Sequence, residues 1–260
     1  MATKKRVDTL LVEQGLAESR SQAQRLILAG QVRANGQIVV KPAVKVAADA
    51  ALEVLQRPRF VSRGGEKLQA ALEAFPVEVA GRVCADVGAS TGGFTDCLLQ
   101  HGASRVYAID VGKGILHWKL RNDPRVVVME GTNARYVTQL PEPVSLVTVD
   151  ASFISLKVLL PVAKGWLEAQ GAFLVLVKPQ FEAGRREAAR GRGVIRDPAV
   201  HRRVLTEVLH FAQTIGLSVQ GLIRSPVLGP KGNVEFLAWL VSDRAPTDAA
   251  TLSHWIEKVI

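Results

Sequence analysis

Short apolar segments that alternate with helix-like segments constrain the fold of this chain more than any other feature. Five of them follow residue 80, at positions 82–87, 106–110, 126–129, 146–150 and 173–177. Strands that are apolar at nearly every position are buried on both faces, which is typical of a parallel sheet covered by helices on each side. Helical periodicity at 156–167 and 200–215 supplies such covering elements. The sequence therefore predicts an α/β domain.

Two more apolar segments, at 219–223 and 236–241, complete the pattern. The residues between them are too few for a helical crossover, so these two strands are predicted to pair antiparallel. The predicted sheet is therefore mostly parallel with an antiparallel last strand. Ligands bind such sheets at the carboxyl ends of the strands, and we expect the functional residues there.

The first quarter of the chain is predicted to form a separate basic module. Residues 1–66 hold eleven Lys and Arg against six acidic residues, in a chain with a formal net charge of +9. Apolar residues at helical spacing predict one helix that ends near Gly15 and a second between the N-cap Ser19 and Gly30. Asn35-Gly36 predicts a type I′ hairpin turn. Two helices and a hairpin indicate a small α+β module.

The organisation of the chain follows from these segments. We predict the small α+β module at 1–56, a linker at 57–60 and the larger α/β domain at 61–260. Pro58 restricts its own backbone and that of the preceding residue, so the linker is expected to be short and stiff.

Composition limits the compartment and the partners. Two cysteines exclude a disulfide scaffold and indicate a reducing compartment. The sequence shows no signal-peptide pattern and no apolar run near the roughly 20 residues of a membrane helix. Five histidines without metal-ligand spacing predict no metal site. We expect a cytoplasmic protein with a polyanionic partner, no membrane association and no obligate protein partner.

A glycine-rich turn after the first predicted strand is a candidate nucleotide site. It reads Asp86-Val87-Gly88-Ala89-Ser90-Thr91-Gly92-Gly93-Phe94. Glycines let the backbone approach a ligand closely, and a carboxylate at the end of the second strand, Asp110, can accept hydrogen bonds from a ribose diol. The spacing differs from that of dinucleotide enzymes and of the P-loop, so the spacing alone leaves the cofactor open. The alternative is a turn that serves only strand–helix packing.

Four charged residues are candidates for the chemistry. Asp150 and Lys178 end two of the predicted core strands, Lys67 lies just before the sheet, and Glu235 starts the last strand. A lysine beside another cation in a partly dry site can act as a base, and a charged lysine can stabilise a developing alkoxide. We predict Lys178 in that role, with Asp150, Glu235 and Lys67 holding the geometry. The alternative for each lysine is a solvated surface position.

The basic module contains Arg6-Val7-Asp8-x-Leu10-Leu11, Gly15-Leu16, Ser19-Arg20 and Asn35-Gly36 at fixed spacing, and with these it resembles the S4 RNA-binding domain. The resemblance implies that Arg6, Ser19, Arg20 and Arg25 face RNA, where phosphate contacts dominate the affinity. Arg63 and the arginine-rich stretch 181–203, with Arg185 and Arg186, would then bind the RNA backbone near the reaction centre. The alternative for that stretch is a solvated loop.

The turn Asp-x-Gly-x-x-x-Gly-Gly-Phe resembles motif I of methyltransferases that use S-adenosylmethionine. Lys67, Asp150, Lys178 and Glu235 stand in the Lys-Asp-Lys-Glu order of ribose 2′-O-methyltransferases. With Ser-Arg-Gly-Gly-x-Lys-Leu, Lys-Pro-Gln-Phe-Glu and Gly-Asn-x-Glu-Phe, the chain is similar to the TlyA family of rRNA cytidine-2′-O-methyltransferases, also labelled hemolysins. The resemblance implies a Rossmann-like class I methyltransferase fold with an FtsJ-like domain.

The same resemblance implies the cofactor, the partner and the binding residues. The cofactor is S-adenosyl-L-methionine and the partner is ribosomal RNA within the ribosomal subunits. Asp110 would take the ribose hydroxyls, and Asn133 would lie near the adenine. The full predicted cofactor set is Asp86, Gly88, Ser90, Thr91, Gly92, Gly93, Phe94, Asp110, Val111, Asn133 and Asp150.

Three other functions compete with this interpretation. A Rossmann dehydrogenase with an RNA-binding appendage is disfavoured by the glycine spacing. A membrane-active hemolysin is disfavoured because no amphipathic or secreted feature of the sequence supports it. An RNA-binding protein that has lost catalysis is disfavoured by the intact Lys-Asp-Lys-Glu set.

Overall fold

The computed structural model describes residues 4–55, 59–184, 187 and 191–260, and the chain divides into two compact units between residues 58 and 59. Phe60, which the sequence places in the linker, is buried in the second unit. Its ring occupies the space that a side chain at Gly65 would need. The second unit therefore begins with residues that were predicted to belong to the linker. Arg57 and Pro58 lie outside the described residues.

The first unit combines two short helices with small antiparallel sheets. Its elements are β1 Lys4–Arg6, α1 Val7–Glu13, α2 Arg20–Leu28, β2 Val32–Ala34, β3 Gln37–Ile38, β4 Lys45–Ala47 and β5 Leu52–Val54. Strand β1 pairs with β4, and β2 lies between β3 and β5. The apolar faces of both helices pack on β2 in one core. This is the predicted α+β module.

The helix cap and the turns predicted for the first unit are present in the structure. The Ser19 hydroxyl accepts a hydrogen bond from the Gln22 N–H and caps α2. Gly30 follows α2 with φ +67°, a left-handed conformation that glycine adopts at little cost. Asn35 and Gly36 have φ of 49° and 79° between β2 and β3. Positive φ at both central residues is the requirement of a type I′ turn.

The second unit alternates strands and helices. Its elements are α3 Gly64–Ala74, β6 Val83–Val87, α4 Gly93–Gln100, β7 Arg105–Asp110, α5 Trp118–Arg121, β8 Val126–Glu130, β9 Val144–Val149, α6 Leu156–Lys164, β10 Leu167–Val177, α7 Pro179–Glu182, α8 Pro198–Thr214, β11 Leu217–Arg224, β12 Phe236–Ser242 and α9 Ala249–Val259, with short 3₁₀ turns at Ala134–Tyr136 and Pro230–Gly232.

The strands of the second unit form one sheet, of seven strands within the described residues, in the order β11-β12-β10-β9-β6-β7-β8. Neighbours from β10 to β8 are parallel, while β12 runs antiparallel to both β10 and β11. The prediction of a mostly parallel sheet with an antiparallel last strand is confirmed. Strand β10 starts earlier than predicted, with a register shift between Leu167 and Ala172.

Helices cover both faces of this sheet. On β10, Phe173, Val175 and Val177 contribute to the core beneath α6, α8 and α9. Leu174 and Leu176 contribute to the core beneath α3 and α4. Successive side chains of a strand point to opposite faces, so a strand between two cores must be apolar throughout. The continuous apolar segments of the sequence have this physical origin.

Candidate active site

The carboxyl ends of the parallel strands open into a cleft with two adjoining lobes. The large lobe encloses about 450 Å³ and is lined by Asp110 and Asn133, among others. The small lobe encloses about 280 Å³ and is lined by Lys67 and Lys178. The residues that line both lobes are Gly88, Ser90, Asp150 and Ser152.

The glycine-rich turn after β6 forms the wall between the lobes. Gly88 has φ +82°, and a Cβ at this position would lie 2.8 Å from the carbonyl oxygen of Asp150. Only glycine lets the turn approach the end of β9 so closely. The backbone N–H groups of Ser90 and Gly112 donate to the two carboxylate oxygens of Asp110 at 2.8 and 2.7 Å. These bonds fix the Asp110 carboxylate at the edge of the large lobe.

Two ion pairs bring together the four residues predicted to carry the chemistry. Lys178 Nζ lies 2.5 Å from Asp150 Oδ1, and Lys67 Nζ lies 2.6 Å from Glu235 Oε2. Lys178 also donates to the hydroxyl of Ser152 at 3.1 Å. Both lysine side chains are more than nine-tenths buried, yet both border the small lobe. Each ammonium group is therefore held by a carboxylate beside the space where a substrate would bind.

Glu235 supports the cleft from a buried position. Its side chain has no exposed surface, and it does not line either lobe. Besides Lys67, it accepts a hydrogen bond from Gln180 Nε2 at 2.9 Å. A Cβ at Gly229 would lie 2.1 Å from Glu235 Oε1, so the backbone of the loop that rims the small lobe rests directly on this carboxylate. Glu235 can thus position Lys67 but is not placed to touch a substrate.

Close packing of two helix N-termini places Lys67 at the cleft. A Cβ at Gly93, the first residue of α4, would lie 2.3 Å from Ser62 Oγ and 2.8 Å from the Gly65 nitrogen. Glycine at position 93 lets α3 and α4 meet backbone to backbone. Lys67 then lies one turn into α3, next to the glycine-rich turn. The same packing explains why Ser62 and two glycines precede Lys67 in the sequence.

Two of the residues predicted to bind the cofactor do not line the cleft. Asp86 is fully buried, and its carboxylate accepts hydrogen bonds from the Thr95 and Thr148 hydroxyls at 2.7 and 3.0 Å. Burial raises the pKa of Asp86 to about 7. Asp86 therefore supports the glycine-rich turn from within the core. A Cβ at Gly92 would strike the side chain of Leu120, so Gly92 serves helix packing.

The other predicted cofactor residues divide between the lobes. Val111 and Asn133 line the large lobe, and the Asn133 side chain also caps the 3₁₀ turn that follows it. Thr91, Gly93 and Phe94 line the small lobe. The glycine-rich turn faces both lobes, because its residues Gly88 and Ser90 line each of them.

Sequence reasoning missed three residues that the cleft depends on. Ser152 hydrogen-bonds Lys178, and Gln180 hydrogen-bonds Glu235. Glu130, at the end of β8, accepts hydrogen bonds from the Leu116, Gly114 and Ile115 N–H groups. The bond from Leu116, together with the Arg121 side chain and the other N–H groups, lowers the pKa of Glu130 to about 2. Glu130 thereby holds the loop that walls the large lobe. A carboxylate that ends a third parallel strand was the signal for Glu130.

Phe153 is a further unpredicted feature of the cleft. Its side chain is 90% exposed although it is a large aromatic group, and its φ is +64°. Positive φ in a bulky residue is strained, and such strain clusters at functional sites. Phe153 lines the large lobe and packs against Phe181, with ring centroids 4.9 Å apart. It follows Ser152 directly, so an aromatic surface adjoins the Lys178–Asp150 pair.

The residues predicted to face RNA in the first unit have defined partners. Arg6 and Arg20 both donate to the buried carboxylate of Asp8. Arg25 is exposed and donates to the Ser21 hydroxyl. Ser19, as described, caps α2.

Of the residues predicted to bind RNA in the second unit, the structure describes Arg63. Arg63 is exposed and lines the small lobe. Arg185 and Arg186 lie outside the described residues. Farther along the same stretch, Arg192 and Arg196 line a shallow cavity together with Lys231.

The residues that the structure describes lack two kinds of feature. They contain no cluster of three or more His, Cys, Asp or Glu side chains arranged to hold a metal ion. No helix among them has the length and apolar character needed to cross a membrane.

The sheet order and the glycine-rich turn at its carboxyl edge define a Rossmann-like methyltransferase domain. A small α+β module precedes this domain in the chain. Comparison with known families agrees with that class. The profile of the FtsJ-like methyltransferase family matches residues 60–242, and that of the S4 domain matches residues 5–51. The chain belongs to the FtsJ-like methyltransferase family and carries an N-terminal S4 domain.

Several named relatives match nine-tenths or more of this chain. The 16S/23S rRNA (cytidine-2′-O)-methyltransferase TlyA of Mycobacterium tuberculosis is 48% identical over 100% of this chain and 97% of its own. Hemolysin A of Brachyspira hyodysenteriae is 42% identical over 91% of this chain and 99% of its own. A solved structure of a candidate hemolysin from Streptococcus thermophilus is 43% identical, with a TM-score of 0.74 over 99% of this chain and 96% of that one.

Proposed function

We propose that this chain transfers the methyl group of S-adenosyl-L-methionine to the 2′-oxygen of a cytidine in ribosomal RNA. The observation that carries the proposal is the position of Asp150. It lines both lobes of the cleft and forms an ion pair with Lys178. A methyl donor in the large lobe and a ribose in the small lobe would therefore meet at one carboxylate. The name of the tuberculosis relative supports ribosomal RNA and cytidine as the substrate.

The chemistry of the large lobe suits an adenosine with a methionine arm. Val111 and Ile115 supply apolar walls for a base, and the Asp110 carboxylate lies where a ribose diol would need acceptors. Each Asp110 oxygen accepts one backbone N–H, and a carboxylate oxygen has a second lone-pair site for a ribose hydroxyl. Asn133 adds a polar edge. These features fit S-adenosylmethionine, which when bound supplies an electrophilic methyl carbon on a cationic sulfur.

The small lobe suits a ribose hydroxyl. As the new O–C bond forms and the C–S bond breaks, the hydroxyl proton must leave the 2′-oxygen. Lys178 can assist as an ammonium that donates to the developing alkoxide, or as a neutral amine that takes the proton. Its contacts with Asp150 and Ser152 hold Nζ at one place for either role. Lys67, fixed by Glu235, would orient the nucleotide beside it.

Aromatic and basic groups around the cleft support an RNA substrate. The exposed ring of Phe153 is available to stack on an unpaired base, a common mode of RNA recognition. Arg63 at the small lobe can bind a phosphate of the same strand, and Arg192, Arg196 and Lys231 provide a further basic surface. Arg6, Arg20 and Arg25 of the S4 domain would add further phosphate contacts. Ribosomal subunits are then the partner, and the cytoplasm is the place of action.

Replacement of Lys178 tests the assignment. We expect Lys178→Ala to abolish methylation while cofactor affinity changes by less than about tenfold, or ~1.4 kcal/mol. Lys157→Ala removes an exposed lysine that pairs with Glu207 and serves as the matched control. Mass mapping of ribosomal RNA after incubation with each purified variant gives the readout. Full activity of Lys178→Ala would refute the role of Lys178, and an unmodified RNA with wild-type protein would refute the proposed function.

Lys178→Arg separates the two roles of the lysine. Arginine stays charged in proteins and cannot act as a base. Partial activity of this variant would favour alkoxide stabilisation, and complete loss together with retained cofactor binding would favour proton transfer.

A further inference from the structure

A buried carboxylate organises the basic surface of the S4 domain. Asp8, in the first turn of α1, has no exposed surface. Its two oxygens accept Arg6 Nε and Nη2 at 2.9 Å each, Arg20 Nε at 3.1 Å and Gln24 Nε2 at 3.0 Å. The hydrogen bonds from Arg6 hold the pKa of Asp8 well below its usual value. One carboxylate thus joins the end of β1 to the start of α2.

Both arginines remain available to a ligand. The side chain of Arg6 is 38% exposed and that of Arg20 is 56% exposed. A guanidinium group has five N–H donors, of which Asp8 occupies two on Arg6 and one on Arg20. The remaining donors can bind RNA phosphates. Because Nε of each is tied to the same carboxylate, the two forks keep a fixed separation before RNA arrives.

We propose that Asp8 is a positioning residue for RNA binding, which holds Arg6 and Arg20 as one preorganised phosphate-binding pair. The inference rests on the proposed function, since it assumes that the S4 domain binds the RNA substrate. Long arginine side chains lose rotamer freedom when they bind, and a prior constraint removes that cost. The carboxylate itself lies too deep to touch RNA.

The proposal predicts an effect opposite in sign to simple electrostatics. Asp8→Asn removes a negative charge near RNA phosphates, so Coulomb attraction alone predicts tighter binding. If Asp8 positions the arginines, the variant binds RNA more weakly. We expect KM for ribosomal RNA to rise by about fivefold or more, given the strength of charge-assisted contacts, while kcat at saturating RNA is unchanged.

Two matched variants control for charge and for structure. Glu13→Gln removes an exposed acid of the same domain whose partner is Lys5, and it should leave KM unchanged or lower. Gln24→Ala removes an uncharged partner of Asp8, and it should leave KM within about twofold because both arginine contacts remain. A thermal melt of each variant monitors the fold.

Coupling between variants tests whether Asp8 acts through the arginines. In the Asp8→Asn background, Arg20→Ala should raise KM much less than it does in the wild type. Purely structural damage would leave the effect of Arg20→Ala undiminished. If Asp8→Asn does not fold, Arg20→Lys decides instead. Lysine keeps the charge but loses the planar fork, so we expect KM to rise, whereas Arg33→Lys, at an arginine of the same domain that pairs with Glu53, should change little.

The outcomes separate this inference from the proposed function. Unchanged or tighter RNA binding by Asp8→Asn, or by Arg20→Lys where that variant decides, overturns the positioning role while wild-type methylation upholds the proposed function. Absence of RNA methylation by the wild-type protein overturns the proposed function itself.

Discussion

The buried pair Lys67–Glu235 allows a prediction about stability and activity together. Glu235 has no exposed surface, whereas the Lys67 side chain is 9% exposed and borders the small lobe. After Lys67→Met, the Glu235 carboxylate keeps only the Gln180 hydrogen bond among its described side-chain partners and cannot reach water. After Glu235→Gln, the Lys67 ammonium can still be hydrated from the lobe. Removal of the lysine should therefore destabilise the protein more than removal of the acid.

The magnitudes follow from the two environments. Leaving one buried charge without its partner costs about 3–5 kcal/mol, so we expect that loss for Lys67→Met. For Glu235→Gln we expect about 1–3 kcal/mol, in the range for one broken buried hydrogen bond, because the lysine can be solvated. The double variant removes both charges. It should recover most of the loss, because an ion pair replaced by neutral groups is often close to neutral in stability.

Urea unfolding of the single and double variants measures these free energies, and methyl transfer to RNA measures function. We expect the double variant to be stable but inactive, since Lys67 no longer orients the nucleotide. Additive losses in the double variant, or a larger loss for Glu235→Gln than for Lys67→Met, would show that the argument from burial is mistaken.

Three further predictions concern the rest of the cleft. Asp110→Asn should weaken S-adenosylmethionine binding by about 1–2 kcal/mol in calorimetry, because hydrogen bonds to a charged acceptor are lost. Asp123→Asn, which removes an acid that pairs with Arg125 and does not line the cleft, should not weaken it. Phe153→Ala should raise KM for RNA, measured by methyl-transfer kinetics, through loss of about 1–3 kcal/mol of stacking. Burial raises the pKa of Asp86 from 3.8 to about 7. The native state then keeps a proton that the unfolded state releases, so this group lowers stability as pH rises from about 4 to 7. In urea unfolding across that range, Asp86→Asn should gain stability relative to the wild type; a constant difference would contradict the assignment.

Periodicity and turn chemistry predicted most of the fold because they act over a few residues. Strand positions followed from continuous apolar segments, and the N-cap at Ser19 and the turn at Asn35-Gly36 followed from side-chain and backbone preferences. The register shift in β10 had no such signal. It depends on pairing with β9, which is a contact between segments.

The site was only partly accessible from the sequence. The order Lys-Asp-Lys-Glu named the four residues, but it did not say which lysine pairs with which acid. Lys67 and Glu235 are separated by 168 positions in the chain, and only the folded sheet brings them to 2.6 Å. The environment of Asp86, which the motif predicts to bind the cofactor, also depends on contacts made in the folded sheet. Its place in the motif gives no indication that Thr95 and Thr148 surround it.

The position of Asp150 between the two lobes has a consequence for inhibition. A compound that spans both halves of the cleft would meet this carboxylate from each side. A substitution there that weakened the compound would also release Lys178. A resistance substitution at Asp150 would therefore also abolish the methylation that the inhibitor blocks.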